Sequence, residues 1–509
     1  MWAIVDGAPT LHEAFEGLVY MLAAKTADAE VLEPHTLTKA KQRPDWPLWE
    51  KAIKEELTTL KVARTWRLEE APLGANIISS KWVFKDKKDA TGNIVHYKVR
   101  LGVQGFSQIS SIDYDNTYAP VAHLTLSCTI IMIANWLGLE LHQVDIKGVY
   151  LNHILHKDEV LYMQHPPGCK AQGISCLMLH LLKTLYGLKQ SGHHWYQKLS
   201  SIFLFLGFKL CLVNQAVFYK VDQDQKTLTV VAVHVDDCTI TASSKKLIKE
   251  LISSLHKSLK VTDLSKLHWM LSIKIQHDHA SHTIHLSQHT YIDSILHHYN
   301  LSDLKLLSTP MNTSIQLLTK LTPSSAAEHV VMHNMPYCEA VGALNWATLT
   351  THLDIMFAVT TVARFTANPS PAHWKAIKWI YHYLAGMCNL WLSYRETKQT
   401  LKGYTDMDGS MAEDRHTITG YAFLIDGGTI SWSSKWQEIV SLSTTESEYI
   451  TATHGMKEVL WLCSLLSEVF GTITMPTTLF LDNQAAIALM CDHQYHSHMK
   501  HIDMQYHFI

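Results

Sequence analysis

Long uninterrupted apolar runs, CxxC pairs and an excess of either charge are all missing from this 509-residue chain, and each absence narrows what it can be. The nine cysteines, at 128, 169, 176, 211, 238, 338, 388, 463 and 491, are odd in number and unpaired in spacing. They fit neither a disulfide framework nor a zinc ribbon, and a reducing compartment is expected. The longest apolar stretch, Leu124 to Leu141, is broken by Thr125, Ser127, Thr129, Asn135 and Glu140 and suits a buried helix better than a membrane span. The segment Met1 to Lys25 has acids among its apolar residues and no basic leading stretch, unlike a secretory signal. A soluble protein with no membrane partner is expected. Charged residues make up only 17% of the chain and apolar residues 47%, which excludes a disordered chain and leaves material for several packed cores. Lys plus Arg is 43 against 46 Asp plus Glu, a net of −3, so any basic surface for a polyanion must be local.

What is abundant is histidine, with 33 residues. The clusters His193-His194, His297-His298 and His493/His496/His498/His501 lack an HExxH frame or a cysteine at ligand spacing, so they do not read as a structural metal site. The length suggests roughly three or four compact units. Residues 1–45 have no sustained period and read as a linker remnant. From Trp46 to Leu60, apolar Trp49, Ile53, Leu57 and Leu60 recur at helical spacing. Two β-rich runs then flank Asp89-Ala90-Thr91-Gly92, a tight connection that predicts a hairpin. Between Lys81 and Arg100 six basic residues face two acidic ones, a net of +4 on an otherwise neutral chain. A solvated hairpin edge and a clamp on phosphates both account for it.

Further on, a helix from Leu124 to Leu139 leads into the strand-like LHQVDIKGVYL, which carries Asp145. The stretch LKTLYGLKQSGHHWYQKL is a glycine-bearing loop opening into an amphipathic helix. TLTVVAVHVDDCTITAS then reads as strand, acidic pair and strand, a hairpin with Asp236 and Asp237 at its tip. Two adjacent carboxylates between apolar strands repel one another and lose hydration, a cost that a divalent cation would offset. A plain exposed turn explains the pair equally well on spacing alone.

The order of these three features resembles the central palm motifs of reverse transcriptases, and in detail the Pol polyprotein of copia-type LTR retrotransposons. The carriers include KWVFK (81–85), YKVRL (97–101), IDYDNTYAPV (112–121), QVDIKGVYLN (143–152), LYMQHPPG (161–168), LYGLKQS (185–191), HVDD (234–237) and VGALNWATLTTHLDI (341–355). The resemblance continues through GYTDMDGS (403–410), SLSTTESEY (441–449), LDNQAA (481–486) and HSHMKHIDMQYHF (496–508), and covers almost everything from Trp46 onward. It implies an RNA-directed DNA polymerase that takes an RNA template, a DNA primer and dNTPs. Nucleotidyl transfer of this kind uses two Mg²⁺ ions, or Mn²⁺ in their place, roughly 3.5–4 Å apart. By the resemblance Asp145 and Asp236 are catalytic and bind both ions, Asp237 supports them, and the backbone carbonyl of Ile146 joins. Tyr150 would lie under the incoming sugar and exclude a 2′-hydroxyl, although ordinary strand packing explains it as well. Lys98 and Arg100, with Lys81 or Lys85 less surely, would hold the triphosphate. Gly187 and Gln190 would shape the nucleotide and template side.

Residues 396–509 resemble RNase H, a mixed sheet whose four carboxylates surround two Mg²⁺ ions and hydrolyse the RNA strand of an RNA–DNA hybrid. Asp406 follows the first strand, Glu448 projects from the helix expected from Thr444 to Val469, and Asp482 sits where a strand meets a helix. Glu446 and Asp408 rival Glu448 and Asp406, and Asp503 is the fourth candidate, a surface aspartate being its alternative. Recognition would be of groove shape and 2′-hydroxyls. The expected architecture is α+β: a right-hand polymerase with fingers and palm over 46–300, a thumb or connection region over 301–395, and an RNase H-like domain over 396–509 that is truncated at its C-terminus. No protease triplet and no HHCC array precede Trp46, so a fragment of the polyprotein is expected, cytoplasmic within a virus-like particle or nuclear.

Several positions depart from the family pattern. His234, His193, His352, His416 and His498 replace Tyr or Arg, and Ser265 and Ser272 replace glycines. Arg to His and Gly to Ser each follow from a single G-to-A change, so the histidine excess reads as codon decay. Each lost arginine removes a fixed cation and its bidentate fork. The rival function is therefore a catalytically dead remnant acting at most as a nucleic-acid-binding protein.

Overall fold

In the computed structural model, the residues described are 33–509 except 89–93, 170–176, 225, 300, 302–305, 313–316, 319–320, 322, 324, 334, 396–399, 410–415, 426, 472–476, 492–505 and 507–509. Helix α1 (Trp46–Val62) forms over the apolar spacing noted above, with a proline in its first turn. It buries Trp49, Ala52, Ile53 and Leu60 against the hairpin of β1 (Ser80–Lys88) and β2 (Ile94–Val103). Trp82 pairs with Leu101 and Phe84 with Val99, so these four side chains share the core face. Because strand side chains alternate, the pairs Lys85 with Lys98, Val83 with Arg100 and Lys81 with Gly102 lie on the opposite face. Lys81, Lys85, Lys98 and Arg100 thus share one side of the hairpin. Beneath it, short strands at Trp66–Glu70, Leu177–Leu181, Tyr162–Met163 and Ile77–Ile78 form a separate sheet in that order.

The next core is sheet between helices. Helix α2 (Leu124–Trp136) is buried along its whole middle, from Leu126 to Asn135, as its nearly uniform apolar sequence requires. Strand β3 (Glu140–Ile146) follows, then α3 (Ser191–Phe205), β4 (Val217–Asp222), β5 (Thr227–His234), β6 (Asp237–Ala242), α4 (Lys245–His256) and β7 (Val261–Lys266). The sheet order is β7-β3-β6-β5-β4, with the short strand Lys209–Leu210 at the outer edge. One face carries Val144, Ile146, Val231, Val233 and Ile240 against Trp195, Leu199 and Phe203 of α3 and Ile248 and Leu255 of α4. The other carries Val230 and Ala232 against Leu126 and Ile130 of α2. Covered on both faces, β5 carries the continuous apolar run Val230 to Val233, whereas β6 alternates Thr239 and Thr241 with Cys238, Ile240 and Ala242.

Beyond this sheet lie β8 (Ile273–Asp278), β9 (Thr283–Ser287), α5 (His289–His298), α6 (Tyr337–Thr350), α7 (Met356–Ala363), α8 (Pro371–Met387) and β10 (Leu392–Arg395). The helices share one apolar core. Strand β10 pairs with β9, so segments more than 100 residues apart form one sheet. The last unit contains β11 (Lys402–Asp408), β12 (Ile418–Ile425), β13 (Gly428–Trp436), α9 (Thr444–Phe470), β14 (Thr478–Phe480) and α10 (Gln484–Cys491). Its sheet order is β13-β12-β11-β14, with β14 parallel to β11 and the rest antiparallel.

The units share cores. Val459, Leu462 and Leu466 of α9 pack in one cluster with residues of α2, β8 and β9. At its far end Glu468 accepts from the amides of Leu212 and Val213 at 2.7 and 3.1 Å and from the Cys211 thiol at 3.2 Å. The fold is α+β, and among the described residues no helix is long and apolar enough to cross a membrane.

Candidate active sites

The first acidic set is assembled by strand register. Asp145, near the end of β3, pairs directly with Asp237 at the start of β6, so their side chains leave the same face of the sheet. Asp236 sits in the two-residue turn between β5 and β6, where its carbonyl accepts the amide of Ile146 at 2.9 Å. Its partner in that turn, Val235, is held at φ +59°, a left-handed conformation that a β-branched residue rarely adopts. The Trp195 indole donates to the Val235 carbonyl at 2.7 Å and fixes the turn from α3. Burial, reinforced by Asp236 and Asp145, pushes the Asp237 carboxyl up to about 6. The Gln143 amide donates to it at 3.4 Å. Beside them the half-buried His234 Nδ1 faces the Ala122 carbonyl at 3.3 Å, and burial lowers its pKa.

Around this set lie the expected nucleotide-side residues. Tyr150 stands on a single helical turn just after Gly148 and is half-buried edge-on to Tyr186, with ring centroids 4.8 Å apart. Burial, with Tyr186 and Asp236 adding to it, pushes its hydroxyl up to about 12. The Arg100 guanidinium lies 4.6 Å above the Tyr186 ring. Glu56 of α1 accepts from the Leu101 amide at 3.3 Å; burial raises its pKa while nearby Arg100 and Lys98 counter the rise. Lys81 is exposed, and Lys85 bonds to Glu33 at 3.1 Å. Gly187 has φ +92°, and a Cβ there would lie 2.1 Å from the Val103 carbonyl oxygen, so the loop and β2 meet backbone to backbone. Gln190 is buried, its Oε1 accepting from Gln108 Nε2 at 3.1 Å and its Nε2 donating to the Asp113 carbonyl at 2.9 Å. It braces the loop from inside and presents no free group to a nucleotide.

The second set closes by tertiary approach. Asp406 on β11, Glu448 on α9 and Asp482 after β14 bring carboxylate oxygens within 4.8 Å of one another, a group unique among the described residues. Gly455 allows the approach, since a Cβ there would fall 2.5 Å from Thr405 Cγ2. Glu448 is 3% exposed, and its Oε2 has no hydrogen-bond partner. Burial, then Asp406 and Asp482, pushes its carboxyl up to about 7; burial and Asp482 raise Asp406 as well. An orphaned buried oxygen among three crowded carboxylates is a donor set that fits a divalent cation. Glu446 is otherwise employed, accepting from the Leu442 amide at 2.7 Å at the head of α9. Asp408 ends β11 outside the group, and Asp503 lies outside the described residues.

Residues 63–313 match the reverse transcriptase (RNA-dependent DNA polymerase) family. The chain is 38% identical to the Retrovirus-related Pol polyprotein from transposon TNT 1-94 of Nicotiana tabacum, over 94% of this chain and 36% of that protein. It is 32% identical to the corresponding polyprotein from transposon RE1 of Arabidopsis thaliana, over 96% of this chain and 32% of that one. The chain belongs to the copia-type retrotransposon Pol family. It spans about a third of the length of these two relatives. A solved foamy viral protease-reverse transcriptase in complex with double-stranded DNA shares 10% identity at a TM-score of 0.47, covering 86% of this chain and 64% of that chain. Against the copia-type Pol pattern, three departures acquire a structural meaning. Ser265 and Ser272 stand at φ +64° and +66°, left-handed positions where the pattern has glycine. His352, in place of arginine, is 1% exposed with neither ring nitrogen hydrogen-bonded, although Nδ1 lies 3.3 Å from Asp354.

Proposed function

We propose that the chain is an RNA-directed DNA polymerase of a copia-type element that also hydrolyses the RNA strand of RNA–DNA hybrids, each reaction at its own carboxylate set. The observation carrying the polymerase reading is the register that sets Asp145 opposite Asp237 with Asp236 bonded through its backbone to Ile146. Mg²⁺, two ions per site and replaceable by Mn²⁺, would supply charge neutralisation and lower the pKa of the attacking hydroxyl or water. Asp145 and Asp236 would hold these ions, with Asp237 supporting them. Lys98, Arg100 and the exposed Lys81 share one hairpin face and would grip the triphosphate. Tyr150, half-buried and packed on Tyr186, is braced to exclude a 2′-hydroxyl. At the second set Asp406, Glu448 and Asp482 would hold ions against the scissile phosphate. The substrates are then an RNA template, a DNA primer, dNTPs and the hybrid product. Primer extension on RNA with Mg²⁺ tests the first activity: loss in Asp236→Asn supports it, and equal signals reject it. Cleavage of a labelled hybrid that vanishes in Glu448→Gln does the same for the second.

A second reading, a catalytically silent chain that only binds nucleic acid, is favoured by one observation: Ser265 and Ser272 carry left-handed backbone strain near β7 and β8. Hybrid binding without extension or cleavage is its signature.

A further inference from the structure

Tyr186 stands outside every role assigned so far, yet its half-buried ring touches two of the residues assigned to the nucleotide. Its edge-to-face contact with Tyr150, at 4.8 Å and 81°, and the Arg100 guanidinium 4.6 Å over its ring make one continuous stack. The stack runs from the basic face of the hairpin to the turn beside the aspartates. The backbone fixes it at both ends. The Tyr186 carbonyl accepts the Val103 amide at 2.7 Å, which ties it to β2 just beyond Arg100. Two residues earlier, the Thr184 hydroxyl donates to the carbonyl of Tyr150. The Tyr186 hydroxyl lies close enough to the acidic set for Asp236 and Asp145 to raise its pKa in addition to burial, while Arg100 lowers it.

We propose that Tyr186 is a positioning residue that couples triphosphate grip to sugar discrimination, its ring holding Arg100 and Tyr150 in one fixed geometry. This rests on the polymerase reading above. A guanidinium over an aromatic face is oriented by the ring quadrupole, and an edge-to-face aromatic pair restricts both rings. Removing the ring frees both partners together, which neither partner's own truncation would do. The ring, and not the hydroxyl, is the working part, so phenylalanine should serve and an aliphatic residue of similar bulk should not.

The test uses the full chain with a primer on an RNA template in Mg²⁺, comparing wild type, Tyr186→Phe, Tyr186→Leu and Asp236→Asn. For Tyr186→Leu the KM for dNTP is expected to rise about tenfold and the preference for dNTP over rNTP to fall several-fold. Its kcat at saturating dNTP and its affinity for the primer–template should stay within about twofold, and Tyr186→Phe should restore both nucleotide parameters. A merely structural role would lower kcat, template affinity and thermal stability together and leave discrimination unchanged. Unchanged KM and discrimination in Tyr186→Leu, with an active wild type, overturn the inference alone. Absence of Asp236-dependent extension in wild type overturns the polymerase reading and this inference with it.

Discussion

Replacing Glu448 by glutamine removes one carboxylate from the three-acid group with little change of shape, and its effect on stability should reverse when divalent cation is added. In the metal-free chain the Glu448 carboxyl is raised from its ordinary 4.5 to about 7 by burial and by Asp406 and Asp482. The folded chain therefore holds a proton that the unfolded chain releases between these pH values. The stability from that proton is fully present below about pH 4.5, declines as pH rises, and is gone above about pH 7. At about 1.4 kcal/mol per pKa unit the ionised carboxylate costs up to about 3 kcal/mol, which water reaching the cleft screens to about 1–2 kcal/mol. Glutamine carries no such charge. Without Mg²⁺ at pH 8, Glu448→Gln should unfold roughly 1–3 °C above wild type, and at pH 4 the two should coincide. With Mg²⁺ at a hundredfold excess over its dissociation constant, wild type should gain about 2.7 kcal/mol and overtake the variant. Thermal melts at both pH values, with EDTA and with Mg²⁺, read the crossing directly. Parallel pH profiles for the two proteins, or equal gains from Mg²⁺, would refute the reasoning.

Two further perturbations follow from local geometry. Ser265→Gly and Ser272→Gly should each stabilise the chain by about 0.5–1 kcal/mol, the relief of left-handed strain being partly offset by glycine's unfolded-state entropy; denaturant titration of the single and double variants checks this, and a loss of stability would count against it. Glu468→Ala strips the acceptor from the Leu212 and Val213 amides and the Cys211 thiol, and should destabilise the junction of α9 with the segment before β4 by about 2 kcal/mol. Hydrogen exchange at those two amides should accelerate roughly thirtyfold, and unchanged protection would show that the junction does not depend on Glu468.

What the sequence displayed and what it hid divide by distance along the chain. Helix α1, the β1-β2 hairpin, the buried α2 and the long α9 all announce themselves through local period and turn residues. The sequence order of Asp145, Asp236 and Asp237 carries the resemblance, and the register of β3 with β6 sets Asp145 opposite Asp237; the preference for Glu448 over Glu446 has a physical counterpart in the capping role that occupies Glu446. The sheet joining Trp66–Glu70 to Leu177–Leu181 has strands too short to show a period, and its pairing spans about a hundred residues. Gln190 is placed beside the nucleotide by the resemblance alone; in the fold the loop closes over it, its side-chain oxygen accepting from Gln108 and its nitrogen donating to the Asp113 carbonyl. Tyr186 gave only one signal, an aromatic residue beside a glycine, and its stack with Arg100 and Tyr150 depends on three separate segments meeting. The serines at 265 and 272 were legible as departures from a pattern, but their strain required the backbone angles.

The central claim is that carboxylates from separate strands act together on a growing primer end. Single-nucleotide incorporation on an RNA template, measured with Mg²⁺ for wild type and for Asp145→Asn, tests it most directly. The account predicts incorporation by wild type and a loss of at least about a hundredfold in the variant. Equal incorporation by both proteins would contradict it.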